Sequence, residues 1–314
     1  MSKSPEPGYK LATYQSADGP RAGLVVDEHV FDAASLTRKP AYATVLGILN
    51  DWKSAQGALK KAATNAGKSR VKSRPLSRTK LLAPVLWPSA IYCAGANYKD
   101  HVAEMDRAQG REPGPTMKDM GEKPWHFVKT SRTSVVGPGT TVKIPAFSNS
   151  IDWEIELAAV IGKPARNVPL AKALSYVAGY TIGNDLSARD AGRRPNVPEH
   201  SPFRWDWIGQ KCFEGACPMG PWIVPANEVK NPHKLAMKLW VGDELMQDSN
   251  TDQLIFDIPD QIAMLSSRAT LLPGDVILTG TPAGVGAGRK RFLKPGENVK
   301  LWIEGIGEFE HKMG

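Results

Sequence analysis

The stretch SIDWEIELAAVIG, residues 150–162, joins a run of apolar and β-branched residues to two acidic side chains placed two apart. A short apolar run closed by glycine reads as a strand. Strand geometry then puts Glu154 and Glu156 on one face and Ile155 and Leu157 on the other. Two neighbouring carboxylates repel each other, and in a mostly apolar strand each also loses hydration. A bound divalent cation resolves both costs; a solvent-facing strand surface avoids them. A second apolar run, GYTIGND (179–185), ends in Asp185. A carboxylate there either caps the following turn or points into a cleft. With Glu154 and Glu156 it would complete an all-oxygen set suited to Mg²⁺ or Mn²⁺.

Outward from these runs, the chain reads as β-dominated α+β. YKLATYQ (9–15) and AGLVVDEHVFDA (22–33) are short strands separated by the turn residues Asp18, Gly19 and Pro20. Leu46, Leu49, Trp52 and Leu59 lie near helical spacing, so a helix is expected over roughly 41–63. A polar, basic stretch to Lys80 then resembles a linker. The reading divides the chain into a small N-terminal accessory domain, residues 1–80, and a larger domain, residues 81–314. Late in the chain, LLPGDVILTG (271–280) and FLKPGENVKLW (292–302) repeat a Leu-x-Pro-Gly-acidic pattern followed by β-branched residues. Pro-Gly suits a tight turn that delivers the chain into a strand.

Composition narrows the function. Of the 40 Lys and Arg in 314 residues, nine fall between Lys53 and Lys80, where there is no Asp or Glu; the other 31 face 32 anions. The basic excess therefore belongs to one segment. With only Trp52 interleaved, it reads as a solvated surface in preference to a nucleic-acid footprint. No apolar run approaches the ~18 residues that a membrane span requires, and MSKSPEPGYK lacks the apolar stretch of a secretory signal. Three cysteines, Cys93, Cys212 and Cys217, are too few for a disulfide framework and form no CxxC pair. A reducing cytoplasm is expected, and a zinc site is not.

Other residues carry chemistry only in combination. In NYKDHVAEM (97–105), His101 and Glu104 are spaced i, i+3 and would meet on one helix face. A carboxylate beside an imidazole raises its basicity and suits it to removing a proton from water. Lys211, in IGQKCFEG (208–215), is an isolated cation entering a strand-like run. TGTPAGVG (279–286) consists of small residues whose backbone N–H groups can cradle a carboxylate. It lacks the Gly-Lys-Ser/Thr ending of a P-loop, and no helical pattern follows it as a dinucleotide site would need.

Together these segments, with CAGANYKDHVAEM (93–105), GYTIGNDLSARD (179–190), GQKCFEGACPMGPWIV (209–224) and ELMQDSNTDQLIF (244–256), resemble the fumarylacetoacetate hydrolase family. The resemblance implies a twisted mixed β-sheet or β-roll catalytic domain over 81–314, usually in a homodimer. It implies one Mg²⁺ or Mn²⁺ per subunit and a small keto or enol carboxylate substrate, with no nucleic-acid or membrane partner. The expected reaction is hydrolysis of a carbon–carbon bond in a 2,4-dioxo, acylpyruvate-type acid. The alternative is isomerisation or decarboxylation of a hydroxymuconate-type diacid. By this resemblance Glu154, Glu156 and Asp185 hold the metal, and His101, Glu104 and Lys211 are catalytic. Arg189, Gln247 and Thr281 contact the substrate. Two positions depart from the family. Gly192 stands where true fumarylacetoacetases carry Gln, and Ala96 where some acylpyruvate hydrolases and oxaloacetate decarboxylases carry Arg. Two long loops, 105–123 and 192–209, flank the expected site.

Overall fold

Every residue of the strands Ile155–Ile161 and Val177–Asn184 is buried, as their nearly continuous apolar sequences require. The computed structural model describes residues 8–314. Its largest sheet has 12 strands, and these two lie near its middle, paired antiparallel with Ile155 opposite Asn184 and Ala158 opposite Thr181. Val276–Leu278 continues the sheet on one side, and beyond it Ile91–Ala94 and His126–Lys129. On the other side come Cys217–Pro225 and the N-terminal strands Lys10–Ser16, Gly19–Val26 and His29–Asp32. A five-stranded sheet built from Ala236–Val241, Glu244–Asn250, Asn298–Ile303, Gly307–Met313 and Thr141–Val142 forms a second layer. A two-stranded ladder, Ile151–Asp152 with Ser187–Ala188, completes a strand-rich, mixed architecture.

Period-two geometry divides the central strand between two cores. Ile155, Leu157, Ala159 and Ile161 face the core shared with the five-stranded sheet, among them Met237, Leu239 and Leu301. Ala158 and Val160 face a second core shared with Leu11, Leu24, Trp52 and Leu59 from the first part of the chain. The N-terminal strands enter the large sheet directly, with Leu11 opposite Ile223.

Local structure departs from the sequence reading in two places. The helix expected over 41–63 is two helices, Val45–Asn50 and Trp52–Thr64, broken at Asp51. Asp51 leaves helical geometry, and its carboxylate takes the Tyr42 hydroxyl at 2.5 Å. The basic stretch does not run free to Lys80: Ser73–Pro75 pairs with His29–Asp32 as the edge strand, with the Arg74 guanidinium over the Tyr14 ring. Charge on an exposed edge discourages pairing with other chains. The repeated Pro-Gly turns do act as expected. Gly274 and Gly296 take φ of 89° and 90°, and each turn leads into a strand, Val276–Leu278 and Asn298–Ile303.

Helix Trp52–Thr64 buries Trp52, Ala55, Leu59 and Ala63, spaced three and four apart, against the second core. Leu59→Ala leaves a cavity there and lowers unfolding free energy by about 2–5 kcal/mol. Denaturant titration followed by circular dichroism checks this. A change below 1 kcal/mol would mean that the helix is not packed as described.

Candidate active site

The acidic residues converge because two strands end together. Just beyond the Ile155–Asn184 pair, the Asp185 N–H donates to the Glu154 carbonyl at 2.9 Å, so both side chains leave the sheet at one point. Glu156 sits opposite Gly183, which offers no side chain to compete for the space. The three carboxylates are at most 5% exposed, and an oxygen from each lies within 4.8 Å of the others.

Three cations answer them. Lys211 Nζ bridges Glu154 at 2.9 Å and Asp185 at 2.6 Å. Lys129 Nζ donates to the other Asp185 oxygen at 2.5 Å and to the Leu186 carbonyl at 3.0 Å. Arg189 donates to Glu154 and, at 2.8 Å, to Asp152. Burial works against the charge of Glu154, but Arg189 and Lys211 hold its carboxyl below the usual range. Glu156 has no cation of its own. Its hydrogen bond comes from the Gly280 N–H at 2.7 Å, and burial, with Asp185 and Glu154 beside it, pushes its carboxyl up. Carboxylate oxygens carry spare lone pairs even when bonded to ammonium. The donor chemistry, three hard oxygen ligands with one uncompensated charge, fits Mg²⁺ or Mn²⁺.

The small-residue segment 279–286 does cradle carboxylates, and they are the protein's own. Gly280 N–H binds Glu156, Gly284 N–H binds Glu104 at 2.9 Å, and Gly286 and Ala287 N–H bind Asp152 at 2.6 and 3.0 Å. Gly280 and Gly284 take φ of 108° and 97°, which other residues adopt only under strain. A one-turn helix, Gly286–Arg289, follows the segment, where none was expected.

His101 and Glu104 share one face of helix Lys99–Ala108, with Nδ1 and the carboxylate 3.9 Å apart, an ion-pair separation longer than a hydrogen bond. The Glu104 carboxyl is pushed up by burial but more strongly held down by His101 and the Gly284 N–H. Lys211 ends the short helix Trp207–Lys211 and does not enter a strand; Asp206 starts the helix by accepting the Gly209 N–H at 2.8 Å.

A cleft of about 240 Å³ opens onto these groups. His101, Glu154, Glu156, Arg189, Lys211 and Thr281 line it, together with Trp125, Phe127, Trp207 and Gln210. Gln247 does not reach it. The Gln247 carboxamide is fully buried, accepting the Ile155 N–H at 3.0 Å and donating to Thr281 at 2.9 Å and the Pro282 carbonyl at 2.8 Å. It braces the glycine segment against the central strand.

Several partners escaped the sequence reading. Asp152 had a signal, since it continues the alternate spacing of Glu154 and Glu156. Lys129 had none, being a lone lysine at a strand end. Asn184 and His311 meet only through the fold. The Asn184 carbonyl oxygen accepts the Glu154 N–H at 2.9 Å, which leaves its amide to donate to His311 Nε2 at 2.9 Å.

The fold is strand-rich and carries a buried, cation-flanked carboxylate triad, two members of which line a cleft, a donor set suited to a hard metal ion. Residues 90–313 match the family described as fumarylacetoacetate (FAA) hydrolase C-terminal, and the chain belongs to that family. It is 39% identical over 241 residues to the human mitochondrial oxaloacetate tautomerase FAHD2B, covering 76% of this chain and 71% of that protein. Among solved structures, it is similar to maleylpyruvate hydrolase from Sphingobium sp. SYK-6 in complex with manganese (II) ion and pyruvate. That match has 30% identity and a TM-score of 0.73, with 97% of this chain and 98% of that one covered. It is also similar to 5-carboxymethyl-2-hydroxymuconate delta-isomerase from Mycobacterium smegmatis, at 29% identity and a TM-score of 0.70, covering 97% and 98%. Among the described residues, no helix is long and apolar enough to cross a membrane.

Two histidines, His126 half-buried and His311 buried, give the fold an acid limit. Burial lowers His126 to about 4 and His311 to about 3, and His311 Nε2 must stay unprotonated to accept from Asn184. Their unfolded value is about 6.5. Below that pH the unfolded chain binds protons that the folded chain refuses, so this contribution to stability is complete above about pH 6.5 and is lost as the pH falls towards 4 and 3. His126→Gln therefore flattens the decline in unfolding free energy between pH 6.5 and 4.5 by up to about 1.4 kcal/mol per pH unit. Urea titrations across that range measure it, and identical slopes in the two proteins would refute the assignment.

Proposed function

We propose that the protein is a metal-dependent hydrolase that cleaves the C3–C4 bond of a 2,4-dioxo, acylpyruvate-type acid. The carrying observation is that Glu154, Glu156 and His101 line one cleft, with an Asp185 oxygen within 4.8 Å of the two glutamates and Glu104 3.9 Å from the imidazole. Glu154, Glu156 and Asp185 would hold a divalent cation, whose Lewis acidity would make the pyruvate carbanion an acceptable leaving group.

The chain's own groups do the rest. His101 Nδ1 faces Glu104, so Nε2 is the nitrogen that takes a proton from water. The resulting hydroxide adds to C4, and Lys211, charged because Asp185 and Glu154 outweigh its burial, steadies the oxyanion. The C3–C4 bond breaks with its electron pair on C3, and His101 returns the proton there. The products are pyruvate and the carboxylic acid of the acyl group. Arg189 keeps Glu154 aimed at the cleft while Asp152 anchors the guanidinium. Thr281 presents its hydroxyl to the substrate from the braced glycine segment. The pyruvate and manganese in the solved maleylpyruvate hydrolase accord with this reading. A cytoplasmic homodimer accords with three unpaired thiols and with the habit of the family.

A second reading, isomerisation, tautomerisation or decarboxylation at the same site, is favoured by the identity to oxaloacetate tautomerases and the likeness to a hydroxymuconate isomerase. The two differ in their need for a hydrolytic water. Under hydrolysis, His101→Ala lowers kcat for acetylpyruvate by about 10²–10⁴-fold, while removing metal with EDTA abolishes pyruvate release and Mg²⁺ or Mn²⁺ restores it. Pyruvate coupled to lactate dehydrogenase is the readout. Undiminished turnover by Glu154→Gln, or by EDTA-treated enzyme, would overturn the metal assignment. Oxaloacetate tautomerisation without acylpyruvate cleavage would favour the second reading.

A further inference from the structure

Helix Trp207–Lys211 presents Trp207, Gln210 and Lys211 to the cleft at i, i+3 and i+4. Each brings a different group. Lys211 Nζ belongs to the carboxylate end and lies 4.7 Å from the centre of the Phe127 ring. From Phe127 the aromatic surface continues outward. Trp207 stacks on it at 5.6 Å and 16°, and Trp125 lies 5.1 Å from Trp207 and 5.8 Å from Phe127. Gly95 is what admits Trp125 to this wall: a Cβ at position 95 would run into the indole. Trp125 and Trp207 nevertheless remain 49% and 37% exposed, so their apolar faces are only partly covered.

Gln210 is the polar member. Its carboxamide makes no hydrogen bond to protein among the described residues, yet it lines the cleft. A Cβ on Gly192 would meet its oxygen at 2.5 Å and its amide carbon at 2.7 Å. Among the described residues, the cations near this part of the cleft already have partners. Arg189 is spent on Asp152 and Glu154, Lys211 on Glu154 and Asp185, and Arg193 lies over the Trp205 ring.

We infer that Trp125, Phe127, Trp207 and Gln210 form a distal subsite for a neutral, planar acyl group, an aroyl or conjugated enone, in preference to a second carboxylate. The inference rests on the keto-acid reading of the metal end. Flat rings favour stacking, and one uncharged amide offers the acyl group a hydrogen bond without compensating an anion.

Calorimetric titration of the Mg²⁺-loaded full chain with three uncleavable 2-oxo acids tests it. 2-Oxo-4-phenylbutanoate should bind at least about tenfold tighter than 2-oxobutanoate and 2-oxoglutarate. Trp207→Ala should remove that advantage, and Gln210→Arg, which adds the missing cation, should shift the preference towards 2-oxoglutarate. The second variant carries the test if the first fails to fold. Equal or tighter binding of 2-oxoglutarate by the wild type would overturn the subsite while leaving the metal end standing. No binding of any of the three acids would overturn both. A Trp207→Ala chain that keeps its phenyl preference but changes mass by light scattering would make the wall an interface between copies and overturn the subsite.

Discussion

Burying carboxylates at the end of a sheet is the constraint from which the rest of this structure follows. Each ionised group withdrawn from water must meet opposite charge or hydrogen-bond donors, or else take up a proton. The protein answers with Lys129, Lys211 and Arg189, and with backbone N–H groups from one glycine-rich segment. Glu156 receives the least compensation, a single N–H, and a hard cation is the natural complement to what it lacks.

The same constraint accounts for features that otherwise seem unrelated. Gly280 and Gly284 hold backbone angles that aim N–H groups at Glu156 and Glu104. Gln247 is buried to fix the segment carrying them, with every polar atom of its amide engaged. Asn97 does similar work from another side, bonding Thr279 and Phe256 through its side chain. Loss of one brace moves several carboxylates at once, which makes the site rigid as a unit.

Much of this was legible before any coordinates. Alternation in Glu154-Ile155-Glu156 implied one shared face, but the run by itself left open whether that face is solvent-exposed or holds a metal, and the family resemblance pointed to the second. The i, i+3 spacing of His101 and Glu104 implied their meeting. What escaped depends on closure of the chain in three dimensions. Lys129 lies 56 residues from Asp185 and His311 lies 127 from Asn184, so no local pattern marks either contact. Gln247 appeared as a substrate ligand because nothing in ELMQDSN distinguishes an amide facing a cleft from one facing the backbone behind it. Lys211 appeared to enter a strand because the helix that carries it is only five residues long, too short for its periodicity to show.

The central claim is that Glu154, Glu156 and Asp185 jointly hold one divalent ion. Crystals grown with manganese and measured near its absorption edge test it directly through the anomalous difference map. One strong peak per chain within coordination distance of all three carboxylates is the expected result. An empty map at that position, or manganese found only at other groups, would contradict the account.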